Sequence, residues 1–261
     1  MKKLLIAVLI FLAMFILFFS WRKQGEMPVS LEEKKNGVDI QLNQSGQIIE
    51  EKQEIPVVMT APENIAKKIL QDVPFTSQAP TGNWKDLIFQ NACEEASLLM
   101  ADAWVSGKVF GSVEEESQEI RRITKEERKY FPKDAYDLSA EDMVFLAGKR
   151  YPAMIVSLIK NVTKESLKNT ILGGDIIIVP ANGQKLRNPN FTAPGPLYHT
   201  LLIRGYDHVS DEFIVNDPGT RKGDAYRYTS DILFDAMQDY ETGYHGKIFP
   251  DEKVMLVIAK K

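Results

Sequence analysis

The hydrophobic periodicity of this 261-residue chain changes after Gly173-Gly174, and that change constrains its fold more than any other feature. Before it, apolar residues recur at helical spacing behind helix start signals. Asn91 can cap a helix over about residues 92–105, with Glu94 three residues on as in a capping box and Gly107 beyond the end. Ser112 and Ser139 open two more helices, and Thr163 opens a fourth that ends at the glycine pair. After it, the segments 175–179, 199–206, 212–216 and 254–259 are short, β-branched and separated by turn residues, which predicts strands. Helices first and strands second give an α+β domain.

Residues 4–19 are apolar without a break, Ser20 and Trp21 extend the run, and Lys2, Lys3, Arg22 and Lys23 close it on both sides. That length is near the lower limit of roughly 17–25 residues for a spanning helix. A cleaved signal peptide shares the basic start, but it needs small residues at a cleavage site. The exit Leu17-Phe18-Phe19-Ser20-Trp21-Arg22 offers none, and no cysteine stands there for a lipoprotein signal. The expectation is an uncleaved signal anchor over residues 1–23, a single-pass transmembrane helix with its N-terminus in the cytoplasm. Residues 24–70 are mostly polar and read as an extracytoplasmic linker, with room for a short strand or helix. Residues 71–261 form the globular domain.

Charge removes one class of partner. The whole chain has net charge −4, and without the four basic residues of the anchor 28 basic residues face 36 acidic ones, so the soluble part repels polyanions. Nucleic acid is therefore not an expected partner. Cys93 is the single cysteine and cannot form an internal disulfide, while His199, His208 and His245 are too scattered for a zinc motif. No metal or cofactor is expected.

Cys93 would lie in the first turn of its helix, where free N–H groups and the positive end of the macrodipole favour a thiolate. Against that, free cysteines usually pack as small hydrophobes, and Glu94 and Glu95 beside it would raise its pKa. A nucleophilic cysteine also needs a base, and a histidine base needs an orienting group. If a turn over residues 207–211 joins two strands, opposing positions have indices summing to about 416–418, so His199 faces Asp217 or its close neighbour. Alternation then places His199, Leu201 and Ile203 on one face, with Phe213, Val215 and Asp217 on the facing side. His208 and His245 read as surface residues.

Four ordered motifs carry a closer resemblance: Val73-Pro-Phe-Thr-Ser-Gln78, Ala92-Cys-Glu-Glu-Ala-Ser-Leu-Leu-Met100, His199-Thr-Leu-Leu-Ile-Arg-Gly-Tyr-Asp207 and Val215-Asn-Asp-Pro-Gly219. Together they resemble the bacteriocin-processing, double-glycine-leader peptidase family of papain-like cysteine peptidases, from about Val73 to the C-terminus. The resemblance implies a papain-like fold, with N-terminal helices packed on an antiparallel sheet. It also implies Cys93 as nucleophile, His199 as general base and acid, Asp217 as orienter and an upstream glutamine as oxyanion donor. Gln78 matches that glutamine by its motif, but its interval to Cys93 is longer than usual and Gln90 lies closer, so the choice stays open. Glu94 stands where the family commonly has glycine, and the chain lacks the export ATPase that follows the peptidase in family members acting in the cytoplasm.

The expected function is a membrane-anchored, extracytoplasmic cysteine peptidase that acts on a peptide or protein substrate through a thioester. The alternatives are a catalytically silent binding module for peptide or cell-wall material, and a transpeptidase or amidase that uses the same triad.

Overall fold

The computed structural model describes residues 68–260 and two short pieces before them, Gln41–Leu42 and Ile48–Ile49. The expected anchor and most of the expected linker lie outside the described residues. Among the described residues, no helix is long and apolar enough to cross a membrane. The chain divides into two units, Met1–Ala61 and Pro62–Lys261. In the first, the two short pieces pair antiparallel, Gln41 opposite Ile49 and Leu42 opposite Ile48.

The second unit is α+β. Its longer helices are α1 (Cys93–Ser106), α2 (Val113–Glu127), α3 (Ala140–Arg150), α4 (Lys164–Leu172) and α5 (Ser230–Ala236). Its sheet is built from β1 (Lys68–Leu70), β2 (Ile155–Lys160), β3 (Ile176–Ala181), β4 (His199–Asp207), β5 (Glu212–Asn216), β6 (Tyr226–Thr229) and β7 (Val254–Ala259). The order is β2-β7-β3-β4-β5-β6, with β1 also paired to β4, and every pairing is antiparallel. β1 falls inside the stretch expected to be linker, so the sheet reaches back to Lys68.

Local chemistry sets most helix starts. The Ser112 and Thr163 side chains each accept from a backbone N–H three residues on, with Glu115 and Ser166 reaching back to complete capping boxes. Ser139 caps α3 through the Asp142 N–H. α1 departs from expectation, because Asn91 does not cap it. A short helix, Leu87–Gln90, ends at Asn91, whose side chain donates to the Leu87 carbonyl. The cap position falls to Ala92, which has no side-chain acceptor, and Cys93 becomes the first helical residue. Gly107 ends α1 in the left-handed conformation, as a glycine there can.

The sheet is covered on both faces. α1, α2 and α3 pack one core with Ile176, Ile178, Leu202, Leu256 and Ile258, while α4 and α5 pack the other with Ile177, Val179, Leu201, Ile203, Phe213 and Val215. Two-sided burial explains the unbroken Ile-Ile-Ile-Val run of β3, since successive side chains point to opposite faces. The β4–β5 hairpin pairs Ile203 with Val215, then shifts by one position across a bulge at Arg204, so that Gly205 faces Ile214. The expected register holds on the His199 side of that bulge. Arg204, freed by the irregularity, donates to the Gln71 carbonyl and the Asn216 side chain.

At Gly205 the first strand crowds in. A Cβ there would sit 2.5 Å from the Ile69 carbonyl oxygen. Gly205→Ala is expected to lower stability by about 1–3 kcal/mol, the usual cost of overpacking, and urea unfolding measures it. An unchanged midpoint would show that β1 does not pair with β4.

Candidate active site

The hairpin end, the segment before α1 and the start of α1 meet at one cavity of about 330 Å³, lined among others by Gln78, Trp84, Cys93, Asp137, His199 and His245. His199 begins β4 and is 1% exposed. Its Nε2 lies 2.8 Å from Asp217 Oδ1, which leaves Nδ1 as the nitrogen free of the carboxylate. Phe191 packs edge-on against the imidazole at 5.3 Å between ring centroids.

Asp217 is fully buried and surrounded by donors. Besides His199 it accepts from the Gly219 N–H at 3.0 Å, Tyr228 Oη at 2.6 Å and Asn188 Nδ2 at 3.3 Å. Burial opposes its ionisation, but the His199 charge and these hydrogen bonds outweigh burial and hold its pKa below the ordinary carboxylate value. Gly219 fits because a Cβ there would stand 2.8 Å from His199 Cε1 and 3.0 Å from Phe191.

Gln78 reaches the cavity because its segment is stitched to the end of β5. Asn216 Nδ2 donates to the Val73 and Pro74 carbonyls, and the Gln78 N–H donates to the Pro218 carbonyl at 2.9 Å. The buried Gln78 side chain crosses to the short Leu87–Gln90 helix before α1, where Nε2 donates to the Phe89 and Gln90 carbonyls at 3.0 and 2.9 Å. Its Oε1 is buried without a partner. Gln90 also lines the cavity, but it is exposed and donates to the Trp84 carbonyl. Both candidate glutamines are thus present at the cavity.

Cys93 is 3% exposed, and its Sγ lies 3.1 Å from Glu94 Oε2. Burial pushes the thiol pKa well up, and the Glu94 charge and hydrogen bond, Asp137 and Glu95 add to the rise. The helix N-terminus favours a thiolate, as the sequence suggests, but its surroundings oppose one. α1 is buried on nearly all sides, so Glu94 and Glu95 point into protein rather than water. Glu95 accepts from Thr124 Oγ1 at 2.7 Å and faces Glu127 of α2. Burial raises the pKa of both, and that of Glu127 reaches about 8.

His245 is exposed as expected, yet it lines the same cavity as Cys93. Its N–H donates to Asp137 Oδ2 at 2.9 Å, and Asp137 pairs with Gly243 as an isolated bridge. Neither residue carries a sequence signal for the site, since contact across 108 positions brings them together. Among the described residues, no group of three or more His, Cys, Asp or Glu side chains could hold a metal ion.

A lone thiol at a helix N-terminus and a hydrogen-bonded imidazole–carboxylate pair, all on one cavity, are the parts that cysteine peptidases use. The chain belongs to the Peptidase_C39 like family, whose model matches residues 70–247. Among solved structures it is similar to a Bacillus anthracis protein described as a C39-like peptidase. The two share 15% identity with a TM-score of 0.47, over 74% of this chain and 98% of that one. Comparison with curated proteins finds no match.

The buried carboxyls make stability depend on pH. A carboxyl whose folded pKa exceeds its unfolded value keeps a proton that the unfolded chain has lost. Its contribution therefore falls as pH rises from 4.5 to about 8 for Glu127. The slope is about 1.4 kcal/mol per pH unit for one such group. Glu127→Gln should flatten the decline across that window, as read by urea midpoints at several pH values. Parallel wild-type and variant curves would show that Glu127 is ionised in the folded protein.

Proposed function

We propose that this chain is a membrane-anchored, extracytoplasmic cysteine peptidase that cleaves peptide bonds through Cys93, His199 and Asp217. The observation that carries the reading is the 2.8 Å His199–Asp217 bond on the same cavity as a cysteine that opens a buried helix. Asp217 accepts the Nε2 hydrogen and leaves Nδ1 as the base. Nδ1 takes the Cys93 proton, and the thiolate attacks the substrate carbonyl. The Cys93 N–H, uncapped by any side chain, holds the oxyanion, and the Gln78 amide joins it when one Nε2 hydrogen leaves the Phe89 or Gln90 carbonyl. The imidazolium then protonates the leaving amine, and water resolves the thioester to a carboxylic acid and free thiol.

The anchor is residues 4–21, and residues 24–67 tether the domain on the far side of the membrane from the cytoplasm. The motif resemblance to double-glycine-leader peptidases makes a peptide with a Gly-Gly scissile site the first substrate to try. One observation favours a second reading: at 3% exposure, Cys93 suits a silent module that binds peptide or cell-wall material. A transpeptidase or amidase would use the same thioester with a different acceptor or amide.

Purified full-length protein incubated with a peptide library, read by mass spectrometry, separates these readings. Hydrolysis that is lost in Cys93→Ala and His199→Ala and weakened less in Asp217→Asn supports the peptidase. Binding without turnover supports the silent module, and ligated products support the transpeptidase. Gln78→Ala should lower kcat by about 10²–10³ with little change in KM, the usual effect of losing an oxyanion donor, while Gln90→Ala should be mild. The reverse ranking would move the oxyanion role to Gln90.

A further inference from the structure

The residue after the nucleophile is a carboxyl with no exposure. Glu94 Oε2 lies 3.1 Å from Cys93 Sγ, while Oε1 accepts from Tyr240 Oη at 2.6 Å and Thr200 Oγ1 at 3.4 Å. The Thr200 and Tyr240 hydroxyls stand 2.9 Å apart and belong to one network. No basic side chain among the described residues pairs with Glu94. From its own helix it faces Cys93 and Glu95, from α2 Glu127, from the loop before α3 Asp137, and from the C-terminal segment Tyr240. Of the two histidines on the cavity, His199 on β4 is committed to Asp217 and His245 stands beside Asp137. An ionised Glu94 would therefore be a buried anion among acids, and such a group takes up a proton instead.

We propose that Glu94 is a further catalytic residue: as a carboxylic acid it donates its Oε2–H to the Cys93 thiolate, and its ionisation disables the nucleophile. The proposal rests on the peptidase reading. Two hydroxyls can donate to Oε1, so the acid's own proton belongs on Oε2, the oxygen beside the sulfur. When Nδ1 of His199 takes the thiol proton, the sulfur gains a negative charge and loses its donor role. The Oε2–H then turns into the hydrogen bond it can accept. The carboxyl proton stays on Glu94 throughout, so the step only exchanges Cys S–H and imidazole for thiolate and imidazolium.

The sign follows from the surroundings. Burial, then the Asp137 and Glu95 charges, push the Glu94 pKa up to about 8, against the pull of the Tyr240 and Cys93 hydrogen bonds. Below that pH the neutral acid supports the thiolate. Above it, a carboxylate 3.1 Å from the sulfur repels the charge that Cys93 must carry.

Iodoacetamide alkylation of the full-length protein tests this without any substrate, and Cys93 is the only cysteine to label. In the wild type the rate should rise as thiolate forms, then break near pH 8. Above the break it should run about tenfold below a single-ionisation curve, the effect of roughly one pKa unit of coupling. Glu94→Gln, whose amide donates at every pH, should give a single rise with no break. Should that variant fail to fold, Tyr240→Phe removes a hydrogen bond that favours the carboxylate and should move the break to higher pH. His199→Ala should keep the break, because the imidazole does not cause it. A wild-type profile that fits one ionisation, or a break left in place by both Glu94→Gln and Tyr240→Phe, overturns the proposal. Peptide cleavage with an unbroken profile would leave the peptidase reading standing and remove Glu94 from it. A broken profile without cleavage of any peptide would do the opposite.

Discussion

Strand β4 is the element on which the rest of the domain depends. It is buried along all but its last residue and shares hydrogen bonds with β3, β5 and β1. Because successive side chains of a strand point to opposite faces, its first two residues serve different halves of the site. His199 shares a face with Leu201 and Ile203 and meets Asp217, while Thr200 shares the other with Leu202 and reaches Glu94 beside the thiol. A one-residue slip in register would exchange these faces and separate both pairs. The same pairing that closes the core therefore fixes the distance between His199 and Asp217.

The domain buries carboxyls in two physically different ways. Asp217 is surrounded by an imidazole, a backbone N–H, a phenol and an amide, enough donors to keep it ionised at full burial. Glu94, Glu95 and Glu127 are buried among hydroxyls and one another, and burial raises the pKa of each. The contrast follows from donor supply, because a carboxylate replaces water only with hydrogen bonds or cations. The acid cluster lies in the helical core behind Cys93 and the aspartate at the hairpin end behind His199, so the two side chains that line the cavity are backed by carboxyls in opposite states.

Much of this was legible in the sequence where local chemistry decides. Ser112, Ser139 and Thr163 announce their helices, and the turn after Asp207 with alternation on either side announces the hairpin and the approach of His199 to Asp217. Asn91 misleads because two helix ends compete for it, and the short Leu87–Gln90 turn takes its side chain. β2, β6 and α5 escape notice because each depends on the sheet around it: Ile155–Lys160 gains its meaning from β7, and Tyr226–Thr229 from β5. Cover on both sheet faces was not legible either, although the Ile-Ile-Ile-Val run fits it afterwards. Asp137 and His245 come to the cavity through long-range loop contacts that no local pattern records. Glu94 and Glu95 read as neighbours that raise the thiol pKa, whereas the rise in their own pKa follows only from the burial of α1.

That burial also decides how much the helix itself can do for Cys93. A helix N-terminus offers a negative group about 0.3–1 kcal/mol at the surface and up to about 2 kcal/mol in a partly buried site. Removing a charged group from water costs several kcal/mol even after relaxation. Desolvation wins, in keeping with a Cys93 pKa raised first by burial and then by its carboxyl neighbours. A thiolate in this position therefore needs more than the macrodipole. In the proposed mechanism an imidazolium on His199, held by Asp217, supplies the opposite charge in a low-dielectric cavity, where an ion pair counts for most. The proposed Glu94 proton supplies a hydrogen bond on the other side of the sulfur. In that mechanism the two act on one sulfur from different sides, the imidazolium offsetting its charge and the Glu94 proton giving it a hydrogen bond to accept.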